Sequence, residues 1–440
     1  MSKKAKTDKM KKILFAMAVA ATLLSACDKP VERPSWFTNE TYFEEKNGMY
    51  EEISVCPGNI VMVGDDYVDR GLWNEFFGDT TFKNRGITYD ATEHVLYRID
   101  KIAAGKPYKI FVSVGYNDVL HGTPADEIVA NIEAIFKRIH KRSPNTKCYW
   151  MNIVGIPGMT AEQSATIGTV NEKVADGAKA GDFEVVDIKE ALYEGLSNGT
   201  FTWDGGKFLN GAGYAALTKA LEPYVDRTSR LAPNDQEDTL EVSDYYKHRL
   251  SMFRAIPATG GQIVMLGNSL INNGLWTELF PMGYVMNRGI SGDVVAGVDQ
   301  RVPEVARHKP AKLYMVTGTN DFINNPEISA IEVWQKYEKL IKDIREQMPQ
   351  TAVHVFSTLP LNPKTKYYEG FNERAAELNK LLQSAAGRYG YAFIDITKIL
   401  SDENGDLCAE YTTDGIHLNV IGYYLWAGEL AKANRMLRDL

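Results

Sequence analysis

The chain has 440 residues, 44% of them hydrophobic and 24% charged, with a formal net charge of -8. That length suits two domains of about 200 residues each, and the balance excludes a disordered, collagenous or multi-span membrane chain. The acidic sign, with no basic stripe anywhere along the chain, also argues against nucleic acid as a partner.

Lys3, Lys4, Lys6, Lys9, Lys11 and Lys12 precede an apolar run from Ile13 to Leu24, followed by Ser25-Ala26-Cys27. These are the three regions of an export signal, and the run is shorter than the roughly 20 residues a membrane span needs. Leu24-Ser25-Ala26-Cys27 resembles the lipobox of bacterial lipoproteins, so residues 1–26 are expected to be removed and Cys27 to be lipidated, anchoring the protein in the cell envelope. A plain signal peptide with an incidental cysteine is the alternative. Removal takes away six lysines and one aspartate, moving the formal charge from -8 to -13. Cys56, Cys148 and Cys408 remain, enough for one disulfide, but no C-x-x-C or Cys/His spacing suggests a metal site.

Residues 27–55 mix Pro30, Pro34, charges and scattered aromatics, and read as a tether with little regular structure. From Asn59 short apolar β-rich runs alternate with helical segments. Ile60–Val63, Tyr108–Val114, Lys147–Val154 and Phe183–Ile188 are the expected strands, and Ala125–Lys141 and Ala161–Ala180 the clearest helices. Continuous apolar strands alternating with helices predict a parallel sheet covered on both faces. The segment 226–257 is polar and reads as a linker carrying one helix, Leu240–Phe253, which either spans solvent or packs across both domains.

The succession then restarts. Strands are expected at Gln262–Leu266, Leu313–Thr317, Ala352–Ser357 and Ala392–Ile396, with helices near 271–280, 327–347, 368–387 and 420–437. Gly71-Leu72-Trp73 recurs as Gly274-Leu275-Trp276, and Asn84-Arg85-Gly86-Ile87 as Asn287-Arg288-Gly289-Ile290, both at an offset of 203. Gly115-Tyr116-Asn117-Asp118 matches Gly318-Thr319-Asn320-Asp321 at the same offset, and Asp204 matches Asp414 at 210. The period is far beyond the 20–50 residues of a solenoid, so each copy is a domain, at 56–225 and 258–440.

Asp414-Gly415-Ile416-His417 places a carboxylate three residues before an imidazole, a spacing that lets the carboxylate orient the ring while the ring moves a proton to and from a nucleophile. Upstream, Gly267-Asn268-Ser269-Leu270 ends a strand and opens a helix, so Ser269 sits at the carboxyl edge of the sheet, where open α/β sheets bind ligands. The competing role for Ser269 is a helix N-cap.

Taken together these blocks resemble the SGNH hydrolases, the GDSL family of esterases and lipases. The resemblance implies tandem three-layer α/β/α flavodoxin-like domains with parallel sheets, the second complete. It also implies Ser269 as nucleophile, Asp414 and His417 as its partners, and Ser269 N–H, Gly289 N–H and the Asn320 side chain as oxyanion donors. Asn268 stands where the family block has aspartate. No metal or organic cofactor is required. The first copy reads Gly64-Asp65-Asp66 and Asp204-Gly205-Gly206-Lys207, so it lacks the serine and the histidine, and an Asp66–Lys207 salt bridge is the expected replacement. The implied function is a serine esterase acting on acetyl or other short acyl esters, with carbohydrate as a candidate alcohol. A binding lipoprotein that reuses the fold, or a lipase or acyltransferase with the same triad, is the alternative.

Overall fold

The computed structural model describes residues 31–179, 182–232, 242–280 and 284–436. The export signal and Cys27 lie outside the described residues, and none of the described helices is long and apolar enough to cross a membrane.

The first copy contains β1 (Ile60–Gly64), β2 (Phe82–Gly86), β3 (Lys109–Ser113), β4 (Lys147–Met151) and β5 (Glu184–Val186). The second contains β6 (Ile263–Gly267), β7 (Val285–Gly289), β8 (Lys312–Val316), β9 (Ala352–Phe356) and β10 (Ala392–Ile394). The sheet orders are β2-β1-β3-β4-β5 and β7-β6-β8-β9-β10, parallel throughout, which is the flavodoxin-like order. Alternate strand residues bury on opposite faces. Val61, Val63, Ile110 and Val112 meet the helices at 92–104, 125–142 and 161–178, whereas Met62 and Phe111 meet those at 189–197 and 211–225. One apolar cluster runs on into the second copy, through Leu266, Met315, Leu340 and Leu378, so the two copies share a core.

Each sheet has an edge strand that its composition conceals. Phe-Lys-Asn-Arg-Gly and Val-Met-Asn-Arg-Gly both carry a polar Asn-Arg pair, yet Arg85 and Arg288 are fully buried. The reason lies in the contact between copies. Arg85 forks onto both oxygens of Glu278 at 3.0 and 2.9 Å, and Arg288 reaches Glu75 at 2.7 Å. Both residues of one pair are related to those of the other by the offset of 203, so this is an isologous contact of the kind that twofold dimers make, built within one chain.

The tether reading needs correction, while the linker carries the helix expected there, packed across both copies. Glu40–Glu52 is a helix capped by Asn39, and its Phe43, Met49 and Tyr50 are buried. The linker helix is Asp244–Ala255, capped by Ser243. These two helices are the same element of the repeat: Tyr42 and Tyr245, Met49 and Met252, and Ile53 and Ile256 are each 203 apart. Each copy therefore begins with a helix, earlier than its strands suggest, and that helix is held by packing its apolar residues between the copies. A single helix at 271–280 is also not formed. It splits into Ser269–Asn272 and Trp276–Leu279, because the Asn287 side-chain amide takes up the carbonyls of Ile271, Asn272 and Gly274 at the break. Cys56, Cys148 and Cys408 are all unpaired.

Candidate active site

β6 and β8 deliver the site at their carboxyl ends. Gly267 comes so close to β8 that a Cβ there would stand 2.0 Å from the Val316 carbonyl oxygen, so the chain can turn here only as glycine. The next residue, Asn268, caps the short helix by accepting from Leu270 N–H at 3.1 Å. Capping is thus assigned to Asn268, and Ser269 has its hydroxyl free for other work.

That hydroxyl lies 2.9 Å from His417 Nε2, and His417 Nδ1 lies 2.6 Å from Asp414 Oδ2. The loop holding them is built around the other Asp414 oxygen, which accepts the N–H groups of Ile416 and His417, both at 2.8 Å. Gly415 makes the turn in the left-handed region at φ 88°. Burial would raise the Asp414 pKa, but the hydrogen bond and charge of His417, with the two backbone donors, bring it down to about 2. For His417 burial favours the neutral ring, yet the hydrogen bond and charge of Asp414, with the charge of Glu45, leave its pKa above the ordinary value.

Glu45 arrives from the helix preceding the first copy, and its carboxylate accepts a hydrogen bond from Thr413 Oγ1. Burial, and the Asp414 charge, raise its pKa. Glu45, Asp414 and His417 each bring one potential ligand atom within 4.8 Å of the others. The contact is reciprocal. His248, which is Glu45 shifted by 203, accepts from Trp203 N–H at 3.1 Å in the loop of the first copy, where Trp203 is the position matching Thr413. Each opening helix therefore serves the other copy's loop. Glu45 is not legible as a site residue when residues 27–55 read as a tether; the Tyr, Met and Ile matches at 203 are the signal that reveals its helix.

The oxyanion donors need one correction. Gly289 spends its N–H on Asn287 Oδ1 at 2.9 Å, as Gly86 does on Asn84 Oδ1 at 2.8 Å, so Gly289 fixes the end of its strand and has no donor to offer. The first copy shows which groups converge instead. Asp66, at the serine's position, points its Oδ2 between the Asn117 side-chain N–H₂ at 2.8 Å and Tyr89 N–H at 3.3 Å. Shifted by 203, these donors are Asn320 and Gly292. Asn320 Nδ2 is held in place by donating to Asp293 O at 2.9 Å, as Asn117 is by Asp90 O at 3.0 Å, which leaves one N–H of the amide free. Gly292 N–H and Ser269 N–H have no hydrogen-bond partner among the described residues.

The first copy has no counterpart of the line from Ser269 through His417 to Asp414. Asp66 carries negative charge where negative charge would have to develop, and burial raises the pKa of both Asp66 and its neighbour Asp65. The expected Asp66–Lys207 salt bridge does not form. Lys207 instead places its ammonium 4.2 Å from the ring centroid of Tyr89, a cation–π contact, and only Oδ2 of Asp66 is met by the neutral donors above, its buried Oδ1 having no partner among the described residues. Of the remaining histidines, His354 is a core residue stacked on Tyr314 at 4.5 Å, and His308 is buried against Glu304 and Arg288.

Two stretches of the chain, residues 63–216 and 267–425, match the profile of the GDSL-like lipase/acylhydrolase family. The chain belongs to that family, as two tandem copies, and is a hydrolase. It is similar to the platelet-activating factor acetylhydrolase IB subunit alpha2 of Rattus norvegicus, 27% identical over 194 residues that span 41% of this chain and 82% of the relative. The corresponding subunit of Gallus gallus is 26% identical over 216 residues, 46% of this chain and 91% of the relative. Among solved structures, a GDSL-like lipase from Bacteroides thetaiotaomicron matches with 20% identity and a TM-score of 0.39, over 44% of this chain and 98% of that one. A carbohydrate acetylesterase family member from Sinorhizobium meliloti matches with 19% identity and a TM-score of 0.34, over 41% and 100%.

Proposed function

We propose that the second copy is a serine esterase that removes acetyl or other short acyl groups, and that Ser269, His417 and Asp414 carry the reaction. The observation behind this reading is the unbroken line from Ser269 Oγ through His417 to Asp414, at 2.9 and 2.6 Å. In the reaction, Ser269 Oγ attacks the ester carbonyl while His417 Nε2 takes its proton and Asp414 stabilises the imidazolium. Ser269 N–H, Gly292 N–H and Asn320 Nδ2 are the donors for the tetrahedral oxyanion. Collapse expels the alcohol, protonated by His417, and leaves an acyl-serine. Water, deprotonated by the same imidazole, then releases the acid and restores Ser269.

A short acyl group is favoured by the acetylhydrolase relatives. The rim beside His417 is polar, carrying Glu45, Thr413 and Lys364, whose ammonium donates to Thr412 O at 2.7 Å, and this suits a hydrophilic alcohol such as carbohydrate. Labelling by a fluorophosphonate and hydrolysis of p-nitrophenyl acetate test the assignment, and both must vanish in Ser269→Ala. Equal turnover of octanoate and acetate esters would overturn the short-chain preference. The lipobox-like segment supports export and anchoring through Cys27. Release of a Cys27→Ser variant from the membrane fraction is the expected result, and its full retention would count against anchoring. For the first copy we propose a non-catalytic role, supported by Asp66 lying between the donors that an oxyanion would need.

A further inference from the structure

A cavity of about 370 Å³ opens where the two copies meet, lined by both edge-strand regions and by the helices Glu40–Glu52 and Asp244–Ala255. Its walls are the same residues twice over, so the places where the two halves differ are informative. On one side Lys46 pairs with Asp69 at 3.1 Å, and Tyr42 donates to the same carboxylate at 2.7 Å. On the other side the residues 203 further on are Arg249, Asn272 and Tyr245. Tyr245 donates to Asn272 Oδ1 at 2.9 Å, but the carboxylate that would answer Arg249 has become an amide.

The ion pairs on this wall leave two guanidiniums out. Three carboxylates line the cavity: Asp69, Glu75 and Glu278. Each is already engaged, by Lys46, Arg288 and Arg85 respectively. Arg70 and Arg249 are left over. Arg249 is only 4% exposed, donates to Gly289 O at 3.2 Å, and keeps a buried Nε with no partner. Burial, and the charges of Arg70 and Arg288, lower its pKa. Arg70 is clamped between the rings of Phe208 at 3.9 Å and Tyr245 at 4.6 Å, and its guanidinium makes no hydrogen bond or ion pair among the described residues. A guanidinium packed against two rings has little freedom to turn, and its planar fork of N–H groups suits a two-pronged contact with an oxyanion. The charges of Asp69 and Asp66 favour the Arg70 cation without an ion pair to either, and Arg249 keeps its buried Nε unpaired, so both guanidiniums have N–H groups to offer a ligand.

We infer that this cavity binds a small molecule through a carboxylate, phosphate or sulfate group, held by Arg70 and Arg249. The volume suits a ligand of monosaccharide size, and Asn39 and Asn273 on the wall can serve its hydroxyls. The site is separate from Ser269, and its existence does not depend on the esterase reading.

The test uses the full chain and defined probes: sodium glucuronate, inorganic phosphate and sodium sulfate, with glucose as the neutral control and sodium chloride at matched ionic strength. At least one oxyanion should raise the melting temperature by several degrees and titrate calorimetrically to one site, while glucose and chloride do neither. The member that binds most tightly identifies the group. Arg70→Gln should weaken that binding by roughly tenfold to a hundredfold, the loss of a charged hydrogen-bonding partner. Asn272→Asp should abolish it and raise the melting temperature of the unliganded protein, because it restores the carboxylate that Lys46 has on the other side. Absence of any oxyanion effect beyond chloride, or equal binding by wild type and both variants, overturns the proposal.

Discussion

The two copies share a backbone plan down to their hydrogen bonds, and around the Ser269 position four of their side-chain differences stand out. Asn84 and Asn287 tie up the same loop, Asn117 and Asn320 rest on the same carbonyl, and Thr202 and Thr412 brace the same aspartate. Against that constant frame, Asp66 replaces the serine, Lys207 the histidine, Tyr89 the Gly292 donor position and His248 the Glu45 position. The frame is what the fold requires. The four differences separate a site that can transfer a proton from one that fills its own oxyanion position with a carboxylate.

The largest effects should come from the groups that only the second copy has. Ser269→Ala and His417→Ala are each expected to lower kcat by roughly 10⁴-fold or more, as for members of a triad acting as a unit. The changes Asp66→Ala and Lys207→Ala should leave turnover of p-nitrophenyl acetate unaltered. A loss of activity from either first-copy variant would mean that the copies are coupled in catalysis. Next, Asn320→Ala should cost about 10²- to 10³-fold in kcat, while Asn117→Ala costs nothing.

Stability tests the likeness of the copies, as activity tests their difference. Arg85 and Arg288 are both fully buried, and each pairs with the glutamate of the opposite copy. Removing one partner of a buried pair strands the other charge and costs about 3–5 kcal/mol. Arg85→Ala and Arg288→Ala should therefore lower the melting temperature by similar amounts. A clear inequality would show that one pair dominates the contact. The double change Arg85→Ala/Glu278→Ala should cost less than the sum of the two single changes.

How far all this was legible in the sequence follows from which residues announce their surroundings. Apolar runs such as Ile60–Val63 and Leu313–Thr317 declared buried parallel strands, and the Ser, Asn and Asp-x-x-His blocks sat on strand ends in the right order. The edge strands were missed because their polar positions are buried by the other copy, and a pattern cannot show a partner that lies about 200 residues away. The opening helix escapes a sequence reading for a related reason: it carries more charged residues than apolar ones, and Lys46 and Asn47 are buried only because both copies surround them. Gly289 was misassigned because a glycine at a strand end and a glycine in the following loop are equivalent on paper. The hydrogen bond from Gly289 N–H to Asn287 separates them.

The smallest expected effect concerns the exchanged helix itself. Glu45 adds negative charge beside His417 from outside the triad, and its counterpart His248 is held neutral by burial. The proposed mechanism needs His417 neutral in the free enzyme, so kcat/KM should fall as the pH drops through its pKa. Because Asp414 and Glu45 hold that pKa above the ordinary value, the acid limb of the profile should lie correspondingly high. Glu45→Gln keeps an oxygen for Thr413 but removes the charge, so protonated His417 loses support and the acid limb should move to lower pH. The rate on the plateau should change little, since Ser269, His417 and Asp414 remain in line. Measuring kcat/KM against pH for wild type and Glu45→Gln, with His248→Gln as the matched change in the other copy, isolates the contribution. An acid limb that stays in place in Glu45→Gln would reduce the helix to a packing element. A limb that moves in His248→Gln as well would show that the two loops are not electrically independent.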